Sequence, residues 1–501
     1  MDCNSTYRYD DLLIPETKDQ KINTGSTSRL HECSPFSVTS TINFVRLDGI
    51  SATGEINNLD RYFFSSTCKT KNNMKYFLDT FIAIQGKEKE VESCFLENLR
   101  EFLSKIIETF TSGNTSKLLE QKDTLDSFFN RCIHFIMNAE NYFETTEDDN
   151  SKINFYYVAV LVLVSQKLVK NKENGNHVYK DILSCVNKAG LFLDIQKDQN
   201  NSVDIQEESG WYMKVCWNLA LQSDVPSDVM FDLFNQCCHF LSICNIDIDA
   251  ASQIRYKTCL LMAAASGINA ANQESNSEVR ETITRKVLAI TSECKQLVGI
   301  LETNSAVGDD MKKIPTLKLL LLYEFEAKTI IKCSTLECTF EEALVFPDMD
   351  AKSFEVLAAI AKKSGLWCFR IVVRALKVSI TKHLENENCD FIQLSKDYHS
   401  LIEVLFKAYS GAIVSTDKEA QRYVYEVLSL VKKAQDQYPE IEVVWLMTKT
   451  WNFGVQNYLQ ENLAMAKEWC GISFQLLQAL PTFKNSYENK LQQQYKRLFE
   501  T

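Results

Sequence analysis

Seven prolines and fifteen glycines in 501 residues leave this chain few places to turn sharply. Average soluble chains carry about 5% proline and about 7% glycine. Here no proline falls between Pro35 and Pro226. Sheet-rich and α/β folds need both residues at their many turns, glycine for positive φ and proline for a fixed negative one. A chain this poor in both is predicted to be all-α, built from long helices joined by short polar breaks.

Length and composition bound the rest. Roughly 100–200 residues per domain allows several compact domains or one long repeat array. Apolar residues at 45% and charged residues at 24% are ordinary for a globular chain with a large core. The formal charge of −12 argues against a protein that grips nucleic acid by its phosphates and suits protein partners. Seventeen cysteines, scattered from Cys3 to Cys470 without a CxxC pair, and no secretory h-region read as reduced thiols in cytosol or nucleus. The longest apolar run, Phe155 to Val164, is half a membrane span and predicts a buried helix rather than a membrane anchor.

Residues 1–74 form the least patterned stretch. Nine Ser/Thr fall between Thr24 and Thr41. This N-terminal segment is expected to be flexible or loosely packed, with a phosphorylated tail as the alternative. From about Lys75 helical periodicity dominates. Val91, Phe95, Leu99, Phe102, Ile106 and Phe110 share one helix face, and Leu125, Phe128, Phe129, Cys132 and Ile136 mark the next helix.

Polar breaks are expected at 144–151, 194–208, 386–390, 415–418 and 436–439. Trp211–Gln222 and Val229–Ile243, parted by Pro226, predict a helical hairpin. Ser275 to Glu278 has capping-box form before a stripe of Ile283, Val287, Ile290, Cys294, Leu297 and Leu301. That stripe is too short for a coiled coil and fits one helix of a stacked array. Gly365 is placed to end a helix in the left-handed conformation. Many helices with short breaks predict a tetratricopeptide-like α-solenoid of stacked antiparallel pairs over 75–440, followed by one such repeat and a final helix over 441–501.

The clearest repeat signal begins at Trp445. Trp451, Asn452, Phe453, Gly454 and Tyr458 precede Ala466, Trp469, Cys470 and Gly471. Gly454 and Ala466 have the spacing of the two small residues that let paired repeat helices approach. Trp217, Asn218, Leu219, Ala220 and Gln222 echo Trp451, Asn452, Phe453, Gly454 and Gln456.

These stretches, with Lys257–Ala263, Lys318–Phe325, Lys352–Glu355, Lys467–Gly471 and Phe483–Glu488, resemble in order the central and C-terminal regions of a known family. It is the Zip-four/Spo-twenty-two family of meiotic tetratricopeptide proteins, in its vertebrate testis-expressed form. The likeness spans roughly residues 90–501. Family members are commonly longer, so a shortened form lacking N-terminal repeats is expected.

The resemblance implies a scaffold rather than an enzyme. It would act on meiotic chromosomes in the nucleus, with a cytoplasmic pool allowed, and promote synapsis and crossover formation. Its partners would be chromosome-axis and synaptonemal-complex proteins and crossover-promoting factors. A general tetratricopeptide adaptor or co-chaperone is the alternative.

Signatures of chemistry are sparse. Gly49 and Gly54 have P-loop spacing, but Glu55 stands where lysine is needed. Cys237-Cys238-His239 is the densest ligand run, yet adjacent helical residues point about 100° apart and do not converge. It reads as a structural thiol pair in a packed helix, and Cys333 and Cys338 read as buried or bystander thiols. Arg370, Arg374 and Lys377 form a basic stripe, read as a solvated helix face before a DNA or acidic-partner contact. Trp445, Trp451 and Trp469 read as structural. No catalytic, cofactor or metal residue, no small-molecule substrate and no sequence-specific nucleic-acid contact is expected.

Overall fold

The computed structural model describes residues 93–111, 122–145, 149–170, 175–198, 202–244, 250–303, 316–410, 417–434 and 437–500. The expectations for 1–74 and for Gly49–Gly54 lie outside them. Among the described residues there are seventeen α-helices, one short 3-10 turn and no strand. The fold is the expected all-α array of stacked helices. It divides into two compact units at 331/332, a division that falls inside the stretch read from the sequence as one array over 75–440.

The first unit contains α1 (Ser93–Thr111), α2 (Lys122–Thr145), α3 (Asp149–Lys170), α4 (Gly175–Asp198), α5 (Ser202–Ala220), α6 (Ser227–Ile243), α7 (Ala250–Gln273), α8 (Ser277–Thr303) and α9 (Thr316–Ile330). Nearly every helix packs on the next, and α1 on α3, α4 on α6 and α7 on α9 pack across one. That stacking is the solenoid pattern.

The apolar α3 sits in the middle of its neighbours, with Phe155, Tyr156, Val158, Val160 and Val162 all buried. Aromatic contacts run through the stack. Phe143 stacks on Phe155 at 4.5 Å, Tyr157 on Trp211 at 3.6 Å and Tyr212 on Phe240 at 5.2 Å. Arg100 caps this stack, 3.5 Å over the Tyr157 ring, while it bonds Glu208 at 2.6 Å.

The second unit contains α10 (Leu336–Val345), α11 (Ala351–Lys363), the 3-10 turn Leu366–Cys368, α12 (Phe369–Glu385), α13 (Phe391–Ser410), α14 (Asp417–Ala434), α15 (Glu440–Leu459), α16 (Leu463–Gln478) and α17 (Lys484–Phe499). Asp350 caps α11 by accepting from the Ser353 amide at 2.9 Å. Gly365 follows α11 with φ +82°, a conformation strained for any residue with a Cβ. On α17, Leu491, Gln494 and Leu498 are buried while most of the remaining residues are polar and exposed.

Three sequence expectations need correction. The break at 194–208 is mostly helix, since α4 runs to Asp198 and α5 starts at Ser202. Its polar residues are used in packing: Asp194 bonds His239, and Gln196 is buried. The cap of α8 is Asn276, not Ser275, because Asn276 Oδ1 accepts from the Glu278 and Val279 amides at 2.9 and 3.4 Å. The buried face of α8 matches the stripe read in the sequence at Val287, Cys294 and Leu301 and is shifted by one residue at the other three positions. Thr284, Val287, Thr291, Cys294, Val298 and Leu301 are buried, while Ile283, Ile290 and Leu297 are half-buried. Thr284 and Thr291 enter the core because their hydroxyls bond back to the Arg280 and Leu288 carbonyls.

Candidate functional site

The pair α15–α16 is built around one close approach. Pro439 stands at the N-cap of α15, and Glu440 and Glu442 in its first turn complement the helix dipole. A Cβ on Gly454 would lie 2.6 Å from Cys470 Sγ and 3.2 Å from the Ala466 carbonyl oxygen. Such contacts are below van der Waals distance, so only glycine fits this crossing. Burial pushes the Cys470 thiol up to about 12, so it packs as a neutral, apolar group.

The aromatic residues surround that contact. Trp451 and Trp469 are fully buried. Trp469 meets Phe453 at 5.1 Å and Phe406 at 5.3 Å, and Trp451 meets Phe474 at 6.0 Å. Tyr458 is half-buried and packs edge-on against Phe499 of α17. Asn452 is also half-buried. Trp445 stacks on His399 with 3.5 Å between centroids, and His399 Nδ1 lies 2.6 Å from Glu442 Oε2. Asn457, which the sequence reading passed over, is fully buried and donates to the Phe453 carbonyl at 2.9 Å.

Gly471 departs from the expectation. Beyond its chain neighbours and its own helix backbone, nothing lies within 4 Å of where its Cβ would be, so it is not a packing glycine. Cys470 faces α15, and the next residue is turned about 100° away.

The earlier copy on α5 divides in the same way. Trp217 and Ala220 are buried, and Trp217 meets Phe234 of α6 edge-on at 5.4 Å. Asn218 is exposed and takes no part in the packing. Gln222 holds the turn after α5 by accepting from the Tyr179 hydroxyl at 3.1 Å.

Two glycines missed in the sequence are close approaches as well. A Cβ on Gly267 would lie 2.5 Å from Val287 and 2.7 Å from Phe231, and one on Gly190 would lie 2.9 Å from His239. The run Ala263-Ala-Ala-Ser-Gly267 is the signal that marks the first of these.

Most of the other singled-out residues have structural partners, while Cys338 and Arg370 are exposed. Cys237 is buried, and its thiol donates to the Met213 carbonyl at 3.5 Å. Burial pushes the Cys237 and Cys238 thiols well up. His239 turns away from them to Asp194 Oδ2 at 2.8 Å. Cys333 is half-buried and Cys338 exposed. In the basic stripe, Arg374 pairs with Glu341 at 2.6 Å and Lys377 with Glu419, while Arg370 is exposed. Two of the three charges therefore already face acids on neighbouring helices.

One constellation was not visible in the sequence. Glu355 on α11, His383 on α12 and Asp397 on α13 bring ligand atoms to within 4.8 Å of one another. His383 Nε2 lies 2.9 Å from Glu355 Oε1 and 3.7 Å from Asp397 Oδ2. Burial pushes the Asp397 carboxyl up to about 6. Glu355 and His383 are 28 residues apart, so no local spacing announces the group. No family model matches the chain.

Proposed function

We propose that the chain is a non-catalytic protein–protein interaction scaffold of meiotic prophase. It promotes chromosome synapsis and crossover formation by linking the chromosome axis to crossover factors. The observation that carries this reading is the placement of the family-like stretches. Trp211–Gln222, Lys257–Ala263, Lys318–Phe325, Lys352–Glu355, Trp445–Tyr458, Lys467–Gly471 and Phe483–Glu488 lie in chain order on, or at the ends of, α5, α7, α9, α11, α15, α16 and α17. Likeness distributed over seven helices of an array is far more specific than one repeat match.

The helical array suits such a role. Stacked helix pairs present extended surfaces on which partner segments dock through many small contacts. Two partners held on one array meet at a raised effective concentration without any chemistry. The tetratricopeptide-like pair α15–α16 supplies the rigid element, fixed by Gly454 against Cys470.

Immunoprecipitation of this chain from prophase nuclei tests the reading. Axis, synaptonemal-complex and crossover proteins are expected to be enriched over a somatic control. Equal recovery of chaperones from meiotic and somatic cells, with no axis protein, would favour the adaptor reading instead.

A further inference from the structure

We propose that Glu355, His383 and Asp397 form a binding site for one divalent transition ion of the zinc class. His383 Nε2 and one oxygen from each carboxylate are its protein ligands. The three residues stand on three successive helices of the second unit, and rigid elements hold such ligands better than loops do.

The geometry needs little adjustment. Zinc–nitrogen and zinc–oxygen bonds of about 2.0–2.2 Å place neighbouring ligand atoms about 3–3.5 Å apart. The observed separations from Nε2 are 2.9 and 3.7 Å, and all three atoms fall within 4.8 Å.

His383 Nε2 is within hydrogen-bond distance of only one of the two carboxylates. Nε2 carries at most one proton, and Glu355 Oε1 at 2.9 Å is the carboxylate oxygen within its reach. Asp397 Oδ2, at 3.7 Å, is beyond hydrogen-bond reach of the same nitrogen. A dication placed among them would meet Glu355 Oε1, His383 Nε2 and Asp397 Oδ2 together, with Lys352 3.3 Å from the other Glu355 oxygen.

The surroundings are those of a held ligand set. Ser379 Oγ donates to Asp397 Oδ2 at 2.6 Å, and Gln393 Nε2 donates to Glu355 Oε2 at 2.9 Å. Outer partners of this kind fix ligand orientation in metal sites. Side-chain exposures of 10% for Glu355 and 15% for His383, against 5% for Asp397, make Glu355 and His383 the more solvent-accessible members of a largely buried group. One imidazole with two carboxylates favours zinc-class ions over magnesium or calcium, which take oxygen alone. On binding, the ion takes the Nε2 lone pair. A proton on Nε2 moves to Nδ1 in the neutral imidazole, or leaves to solvent where Nδ1 already carries one, so the ligand is neutral imidazole.

Cobalt(II) is the probe, because thiolate ligation gives an intense near-ultraviolet charge-transfer band that nitrogen and oxygen ligands do not. The full chain, stripped with a chelator, is titrated with cobalt and then with zinc. One equivalent of cobalt is expected to bind at micromolar concentration with visible d–d bands and no thiolate band, and zinc is expected to displace it. His383→Gln and Asp397→Asn are each expected to weaken binding at least tenfold with the far-ultraviolet circular dichroism unchanged. Glu355→Gln serves where either variant fails to fold. The proposal is overturned by a wild-type chain that shows no d–d bands, by cobalt bound only through thiolate, or by binding that survives in a folded variant.

Discussion

A single missing methyl group sets how closely α15 and α16 approach. Gly454→Ala would drive a Cβ to 2.6 Å from Cys470 Sγ and 3.2 Å from a backbone oxygen. It is expected to destabilise the second unit by about 1–3 kcal/mol, the usual cost of overpacking. Gly471→Ala meets open space and is expected to be neutral or to gain up to about 1 kcal/mol, as Ala does over Gly inside a helix. Thermal denaturation of the two variants checks the contrast, and equal losses would refute it. Trp469→Phe is a finer test. The Trp469 ring is fully buried, and its Nε1 has no hydrogen-bond partner among the described residues. Phe removes that unsatisfied donor, so its loss of stability should be well below the roughly 3–5 kcal/mol of Trp469→Ala.

At the scale of the element, ion pairs tie helices that stand two apart. Burial alone would raise the Glu403 carboxyl, yet Lys407 and Lys362 on its two oxygens hold it down at about 2. The folded value lies below that of the unfolded chain. The pair therefore adds stability that is complete above the unfolded carboxylate range and is lost as pH falls toward 2. Glu403→Gln is expected to cost about 1–2 kcal/mol at pH 7, and the gap to wild type should shrink below about pH 4.5. Denaturant unfolding across that range measures it; a gap that widens with acid would contradict the assignment. Helix starts are testable in the same way. Asn276→Ala should cost about 1 kcal/mol, and Ser275→Ala much less, because only Asn276 accepts from the first amides of α8.

The elements also show how much the sequence discloses. The stripes of α1 and α2 were legible because large apolar residues recur at helical spacing, and Phe95, Leu99, Phe102, Ile106, Leu125, Phe128, Phe129 and Cys132 are all buried. The face of α8 was partly displaced because threonine counts as polar until its hydroxyl is satisfied by its own helix. The end of α4 was hidden because Asp194 and Gln196 read as loop residues and are used as packing partners. Glu355, His383 and Asp397 left no local trace, since only the stacking of α11, α12 and α13 brings them together.

For the whole molecule, the cysteines give a readout that spans both units. The thirteen cysteines whose side chains are described are free thiols. Burial pushes Cys132 and Cys237 well up and Cys185, Cys294 and Cys470 up to about 12, so none of these presents thiolate near neutrality. Cys338 is exposed. Alkylation of the native chain at pH 7, mapped by mass spectrometry, should label Cys338 within minutes and leave those five largely unmodified. Rapid labelling of Cys237 or Cys470 would mean that the helix stacks are not packed as described.

Function is legible at this scale only through resemblance, because scaffold surfaces carry no chemistry that a spacing rule can find. The most direct test of the scaffold reading is immunostaining of spread meiotic nuclei with an antibody to this chain. Discrete foci along synapsing chromosome axes are the predicted result. A diffuse cytoplasmic signal, the same in meiotic and somatic cells, would contradict it.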